Sequence, residues 1–156
     1  MSSTTLPPAE EPVSHPRSGC GVAIVREGRI LLLERLREPE AGSWGIPGGK
    51  VDWMERLEDA VRREALEETG LELGSIELLC VVDHFEQALH QHWISPVYLA
   101  EDTVGEPELR EPEKHGGLRW FPLDALPERV TVSTAAAAVE AIARSRGSRR
   151  PDDADS

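Results

Sequence analysis

Gly49 to Leu71 reads GKVDWMERLEDAVRREALEETGL, and its second half decides the fold. From Glu55 to Thr69 there is no Gly or Pro, Glu, Arg, Ala and Leu dominate, and Gly70 supplies a stop, so the stretch predicts a helix. At about 100° per residue, Leu57, Ala60, Val61 and Ala65 share one face, while Arg56, Asp59, Arg62 and Arg63 fall mostly on the other. Glu64 and Glu68, spaced i,i+4, project from the face that the apolar residues define, with Glu67 adjacent. Three carboxylates in one turn repel each other, and at the C-terminal end of a helix the macrodipole disfavours them further. A bound divalent cation reverses both penalties. The bland alternative is a solvated acidic helix end with Arg63 paired to Glu67.

Outward from this helix, the residues before it are Trp44-Gly45-Ile46-Pro47-Gly48-Gly49, where Pro47 and the Gly pair forbid regular structure and let the backbone approach a ligand. Further upstream, Gly21 to Val25 and Ile30 to Leu33 are apolar runs around the turn pair Glu27-Gly28, which predicts a hairpin. Both runs are nearly continuous, as in strands covered on both faces. Downstream, Ile76 to Val82 predicts a strand and His92 to Leu99 another, with Pro96 implying an edge, a bulge or a break. Gly105 to Gly117 is a charged loop, Leu118 to Phe121 a short strand, and Ser133 to Arg146 an Ala-rich helix with a cap at Ser133 or Thr134. The order β-β-loop-α-β-β-β-α calls for a sheet with helices packed on it, an α/β or α+β fold.

The 156 residues suit one domain, which we place at 18–146 between tails at 1–17 and 147–156 whose Pro, Ser and charged content cannot bury a core. A net charge of −12 argues against long nucleic acid and against an anionic membrane surface. A small polyphosphate remains possible, provided divalent cations stand between it and the protein's carboxylates. Cys20 and Cys80 form no CxxC pair and read as reduced thiols. With no basic, apolar leader at Met1 to Pro8 and no apolar run near 18 residues, the expectation is a cytoplasmic protein.

Gly49, Glu55, Arg63-Glu64, Glu67-Glu68 and Gly70-Leu71 reproduce in register the pattern G-x5-E-x7-R-E-U-x-E-E-x-G-U, with U an aliphatic residue. This resembles the Nudix box, and the resemblance extends to Trp44–Gly49, to Glu111-Pro112-Glu113-Lys114 and to Leu118–Phe121. Two positions depart from the family: Ala65 stands where a larger aliphatic is usual, and Met54 stands where many members have Gly.

The resemblance implies an α/β/α sandwich with a mixed sheet between helices. It also implies metal-dependent hydrolysis of a nucleoside diphosphate linked to a group X. Carried over residue by residue, Glu64, Glu67 and Glu68 would bind Mg2+ (Mn2+ is possible), with the Gly49 carbonyl as a further ligand. Glu64 and Glu113 are both candidates for general base, Arg63 would orient a box glutamate, and Glu55 would be structural. For the substrate, Arg35 and Arg37 could meet phosphates, Gly48 gives close backbone approach, and Trp44, His84, Phe85, His92 and Trp93 could offer a surface to a base.

Glu86 to Leu89 lacks the Pro or Tyr signature associated with ADP-ribose or dinucleoside-polyphosphate members, which leans toward the MutT-like branch and a (d)NTP giving (d)NMP and pyrophosphate. A nucleotide sugar or ADP-ribose is the alternative substrate, and a non-catalytic nucleotide-binding module is the alternative class. The expected partner is thus a small nucleotide, acted on by a monomer or homodimer.

Overall fold

The structure, a computed structural model, describes residues 15–147. The predicted hairpin is present and longer than the apolar runs: β1 spans Arg17–Arg26 and β2 spans Arg29–Arg35. Glu27 and Gly28 both take positive φ at the turn, as a tight two-residue connection requires. Two short strands follow, β3 (Trp44–Gly45) against β2 and β4 (Gly48–Lys50) against β1. Helix α1 runs Leu57–Thr69 and ends on Gly70, whose φ of 74° and N–H to the Leu66 carbonyl close its last turn. Then come β5 (Glu72–Leu73), β6 (Ile76–Glu86), β7 (Gln91–Ala100), β8 (Thr103–Val104), β9 (His115–Pro122) and α2 (Val132–Gly147).

The main sheet runs β3-β2-β1-β7-β6, with β4 on β1 and β9 on β2. Only β1 and β7 are paired in parallel among the described ladders, which makes the sheet mixed. Period-two alternation divides the core into two layers. Cys20, Val22, Ile24 and Leu31 face Ala60, Val61 and Ala65 of α1. Ala23, Ile30 and Leu32 face Ala137 and Ala141 of α2. Strands β1 and β2 therefore read as continuous apolar runs because both faces are covered. Ala65 is fully buried against the sheet, so the small residue at this position is part of the packing, and a larger aliphatic there would cost about 1–3 kcal/mol unless its neighbours moved.

Several boundaries differ from the sequence reading. Arg17 already belongs to β1 and Gly147 to α2, so the folded unit takes in the inner end of each expected tail; residues 1–14 and 148–156 lie outside the described residues. Glu55 precedes α1 and accepts the Asp52 N–H at 3.1 Å, closing a turn before the helix starts. The α2 cap is Thr131, whose hydroxyl accepts the Thr134 N–H at 3.3 Å. Pro96 sits inside β7 between two neighbours, at a point where the β1 ladder skips from the Ser18–Ile94 pair to the Gly21–Val97 pair and asks for no N–H. Among the described residues, no helix is long and apolar enough to cross a membrane.

Candidate active site

The Gly pair brings β4 against β1 and α1. A Cβ on Gly48 would run into the Cys20 carbonyl, and one on Gly49 would lie 2.7–2.9 Å from the carboxylate of Glu64. Only glycine lets this backbone come so close to the helix.

Arg63 organises the acidic turn. Its Nε and Nη2 donate to the two oxygens of Glu55 at 2.8 and 2.9 Å, its Nη1 donates to Glu64 at 3.0 Å and to Glu67 at 3.3 Å, and its Nη2 also reaches the Lys50 carbonyl at 3.1 Å. The fork geometry of a guanidinium suits this bidentate contact. Arg63 holds the Glu55 carboxyl down to about 2, and the Asp52 N–H helps. Glu55 and Arg63 thus form a strut between the loop and the helix.

Glu68 is the buried member of the cluster, 6% exposed. One oxygen accepts the Gly48 N–H at 3.2 Å, and no basic side chain among the described residues pairs with it. Burial first, then the charges of Glu64 and Glu111, push it up to about 9. Burial also raises Glu64, opposed by Arg63. Glu67 turns outward to Arg63 and is half exposed.

Among the described residues, no three Asp, Glu, His or Cys side chains stand grouped to hold a metal ion. The donor chemistry nevertheless suits a hard cation: two carboxyl groups in hydrogen-bonding reach, one deeply buried and lacking a cationic partner, beside a glycine backbone.

In the late loop two acids stand close in sequence, Glu111 and Glu113. Glu113 is exposed. Glu111 is the residue whose charge reaches Glu68, and Lys114 Nζ holds its carboxylate at 2.9 Å. The N–H groups of Lys114 and His115 both fold back onto the Glu111 carbonyl, at 2.9 and 3.0 Å, which fixes the turn.

A cleft of about 210 Å³ opens from Gly48, Gly49 and Glu68. Arg35 and His84 line it, and Arg35 Nε donates to the Pro39 carbonyl at 2.8 Å. Of the residues read as substrate contacts, Trp44, Phe85 and His92 lie elsewhere, and Arg37 is not part of the cleft lining. Trp44 packs edge-on against Phe121, with ring centroids 5.0 Å apart, and its ring is close against Gly117. His92 stacks on Phe85 at 4.4 Å and bonds Asp83, lining a separate hollow at the tip of the β6–β7 hairpin. Strand alternation explains His92: Trp93, the register partner of His84, turns into the cleft, and its neighbour His92 must turn away. The cleft also gathers Glu40, His115, Thr131 and Ser133, none of which carries a local sequence signal. His115 is 6% exposed with Nδ1 unpartnered, and burial lowers its pKa.

Residues 15–141 match the NUDIX domain. The chain belongs to the Nudix family. A crystal structure of a MutT NUDIX hydrolase from Burkholderia pseudomallei superposes with a TM-score of 0.79 at 55% identity, covering 81% of this chain and 98% of that one. An ADP-ribose pyrophosphatase of Methanocaldococcus jannaschii is 33% identical over 73% of this chain, and a putative 8-oxo-dGTP diphosphatase 2 of Mycobacterium tuberculosis is 39% identical over 63%. The chain spans 66% and 67% of the length of these two relatives. This places the protein with the MutT-like Nudix hydrolases, and the mixed sheet between α1 and α2 is the Nudix sandwich.

Proposed function

We propose that this Nudix protein cleaves a pyrophosphate bond in a nucleoside diphosphate linked to X, most directly a (d)NTP, releasing (d)NMP and pyrophosphate. The observation that carries the reading is buried Glu68, in hydrogen-bonding reach of Glu64 and lining a cleft that also takes in His84 and Trp93. Glu64, Glu67, Glu68 and the Gly49 carbonyl would hold Mg2+ or Mn2+; Glu67 joins the set by leaving Arg63. Such an ion, when bound, neutralises phosphate oxygens and acidifies an attacking water.

The chain's own residues do the rest. Glu111, or Glu64, accepts the proton of the water as its oxygen bonds to phosphorus and the anhydride oxygen leaves with pyrophosphate. Arg63 keeps the glutamates in place, and Arg35 on the cleft wall meets the phosphates. Oxidised purine triphosphates head the substrate list because one relative is named for 8-oxo-dGTP. ADP-ribose is the second reading, since another relative is an ADP-ribose pyrophosphatase. The small cleft and the net charge of −12 favour a small nucleotide bound through divalent cations over long nucleic acid.

The test is phosphate release, with added pyrophosphatase, from nucleoside tri- and diphosphates, oxidised nucleotides, nucleotide sugars and ADP-ribose, with and without Mg2+. Metal-dependent turnover concentrated on triphosphates is the expected result. Silence on every compound, with thermal shifts on nucleotide addition, would make the protein a binding module instead.

A further inference from the structure

We infer that Glu40 determines base specificity, by accepting hydrogen bonds from the N–H edge of a guanine-type base. The inference rests on the reading that the cleft receives the nucleotide. Glu40 lies in the loop between β2 and β3 with φ of 63°, a left-handed conformation that a non-glycine residue adopts only when its surroundings hold it there. Two contacts hold it. Its carbonyl accepts the Ser43 N–H at 3.1 Å, and its Oε1 accepts the Val132 N–H at 3.0 Å at the start of α2.

Among the described residues, the second oxygen accepts no hydrogen bond. Oε2 stands 3.9 Å from His84 Nδ1, too far for a hydrogen bond, and His84 Nε2 is a further 3.9 Å from Glu86. Both side chains are largely buried and line the cleft, with Trp93 as the register partner of His84. A carboxylate anchored by one oxygen, with the other on the cleft lining and receiving no hydrogen bond, is a place for a ligand group that donates to it.

A carboxylate only accepts, so the ligand must present N–H there. A guanine-type edge offers a ring N–H and an amino group side by side, both able to converge on one oxygen. Hypoxanthine offers the ring N–H alone.

The experiment compares wild type with Glu40→Gln on dGTP, dITP and base-less ribose 5-triphosphate. Glutamine keeps a carbonyl oxygen for the Val132 N–H, so the α2 cap and the thermal midpoint are expected to hold. Its amide puts a donor where Oε2 accepts. We expect KM for dGTP to rise about tenfold, with a smaller rise for dITP, no change for ribose 5-triphosphate, and kcat within about twofold throughout. An unchanged KM for dGTP in an active enzyme overturns the assignment, as does an equal loss on all three substrates with a lowered thermal midpoint, which would mark Glu40 as structural. Absence of wild-type turnover on all three, and on the wider set of nucleotides above, defeats the proposed function itself and this inference with it.

Discussion

At one end of the cleft, Glu64, Glu67 and Glu68 come from a single stretch of α1, and one guanidinium, Arg63, gathers two of them together with Glu55. At the other end, Glu40 arrives from a loop, His84 and Trp93 from two strands, and Ser133 from the start of α2. At the first end helical spacing encodes how the three glutamates stand relative to one another, and Glu55 and the Gly48–Gly49 backbone clamp that turn from the preceding loop. The second exists only once the sheet and both helices have packed. Losses at the acidic end should therefore be steep and indifferent to the base, while losses at the recognition end should be graded and substrate-specific.

The largest effect expected is at Glu68. Glu68→Gln removes a buried ligand charge and almost no volume, so kcat is expected to fall by several kcal/mol of barrier, about 10³-fold, on every substrate. Without metal the variant should be at least as stable as wild type, because a neutral amide is spared the proton uptake that burial and the neighbouring acids impose on Glu68 when the chain folds at neutral pH. Addition of Mg2+ should raise the thermal midpoint of wild type and leave that of the variant where it is. Steady-state kinetics and thermal unfolding with and without Mg2+ check both parts, and a variant with wild-type kcat would break the contrast between the two ends.

A second comparison sharpens the boundary of the acidic end. Glu111→Gln should lower kcat by about 10²-fold, whereas Glu113→Gln should stay within about twofold, since the charge of Glu111 acts on Glu68 while Glu113 is exposed. Equal losses in the two variants would mean that the late loop rearranges around substrate, and the assignment of Glu111 would fall.

These two acids also show where sequence reading stops. The box spacing made α1, its buried face and the Glu64–Glu68 pair legible, because a helix converts sequence distance into spatial direction with a fixed period. The loop Glu111–His115 has no such period: its turn rests on the N–H groups of Lys114 and His115 bonding the Glu111 carbonyl, and no spacing tells which of its two acids acts on Glu68. The same limit applied to the aromatics. Trp44 is a packing residue because β2, β3 and β9 bring Phe121 and Gly117 against it, and nothing near Trp44 in the chain announces either partner. Trp93 and His92 differ only in strand parity, which becomes readable once the register with His84 and Phe85 is known. Glu40 was the least legible, in a loop whose polar composition marks a turn and nothing more.

The smallest effect expected lies between the two halves of the box. Met54 has φ of 61° and is 88% exposed, at the position where many Nudix members carry Gly. A left-handed L-residue costs roughly 1–2 kcal/mol, while glycine loses roughly 0.5–1 kcal/mol more chain entropy on folding. Met54→Gly gives up almost no buried surface, so the difference should leave it more stable by up to about 1 kcal/mol. The turn is already pinned by Asp52, Glu55 and Arg63, which act through groups that this substitution leaves untouched. Kinetic constants should therefore stay at wild-type values on all substrates, and urea unfolding should show a higher midpoint at unchanged slope. A drop in kcat at constant KM would instead show that the conformation of this loop transmits to the glutamates of α1, and helical spacing would no longer be enough to encode their arrangement.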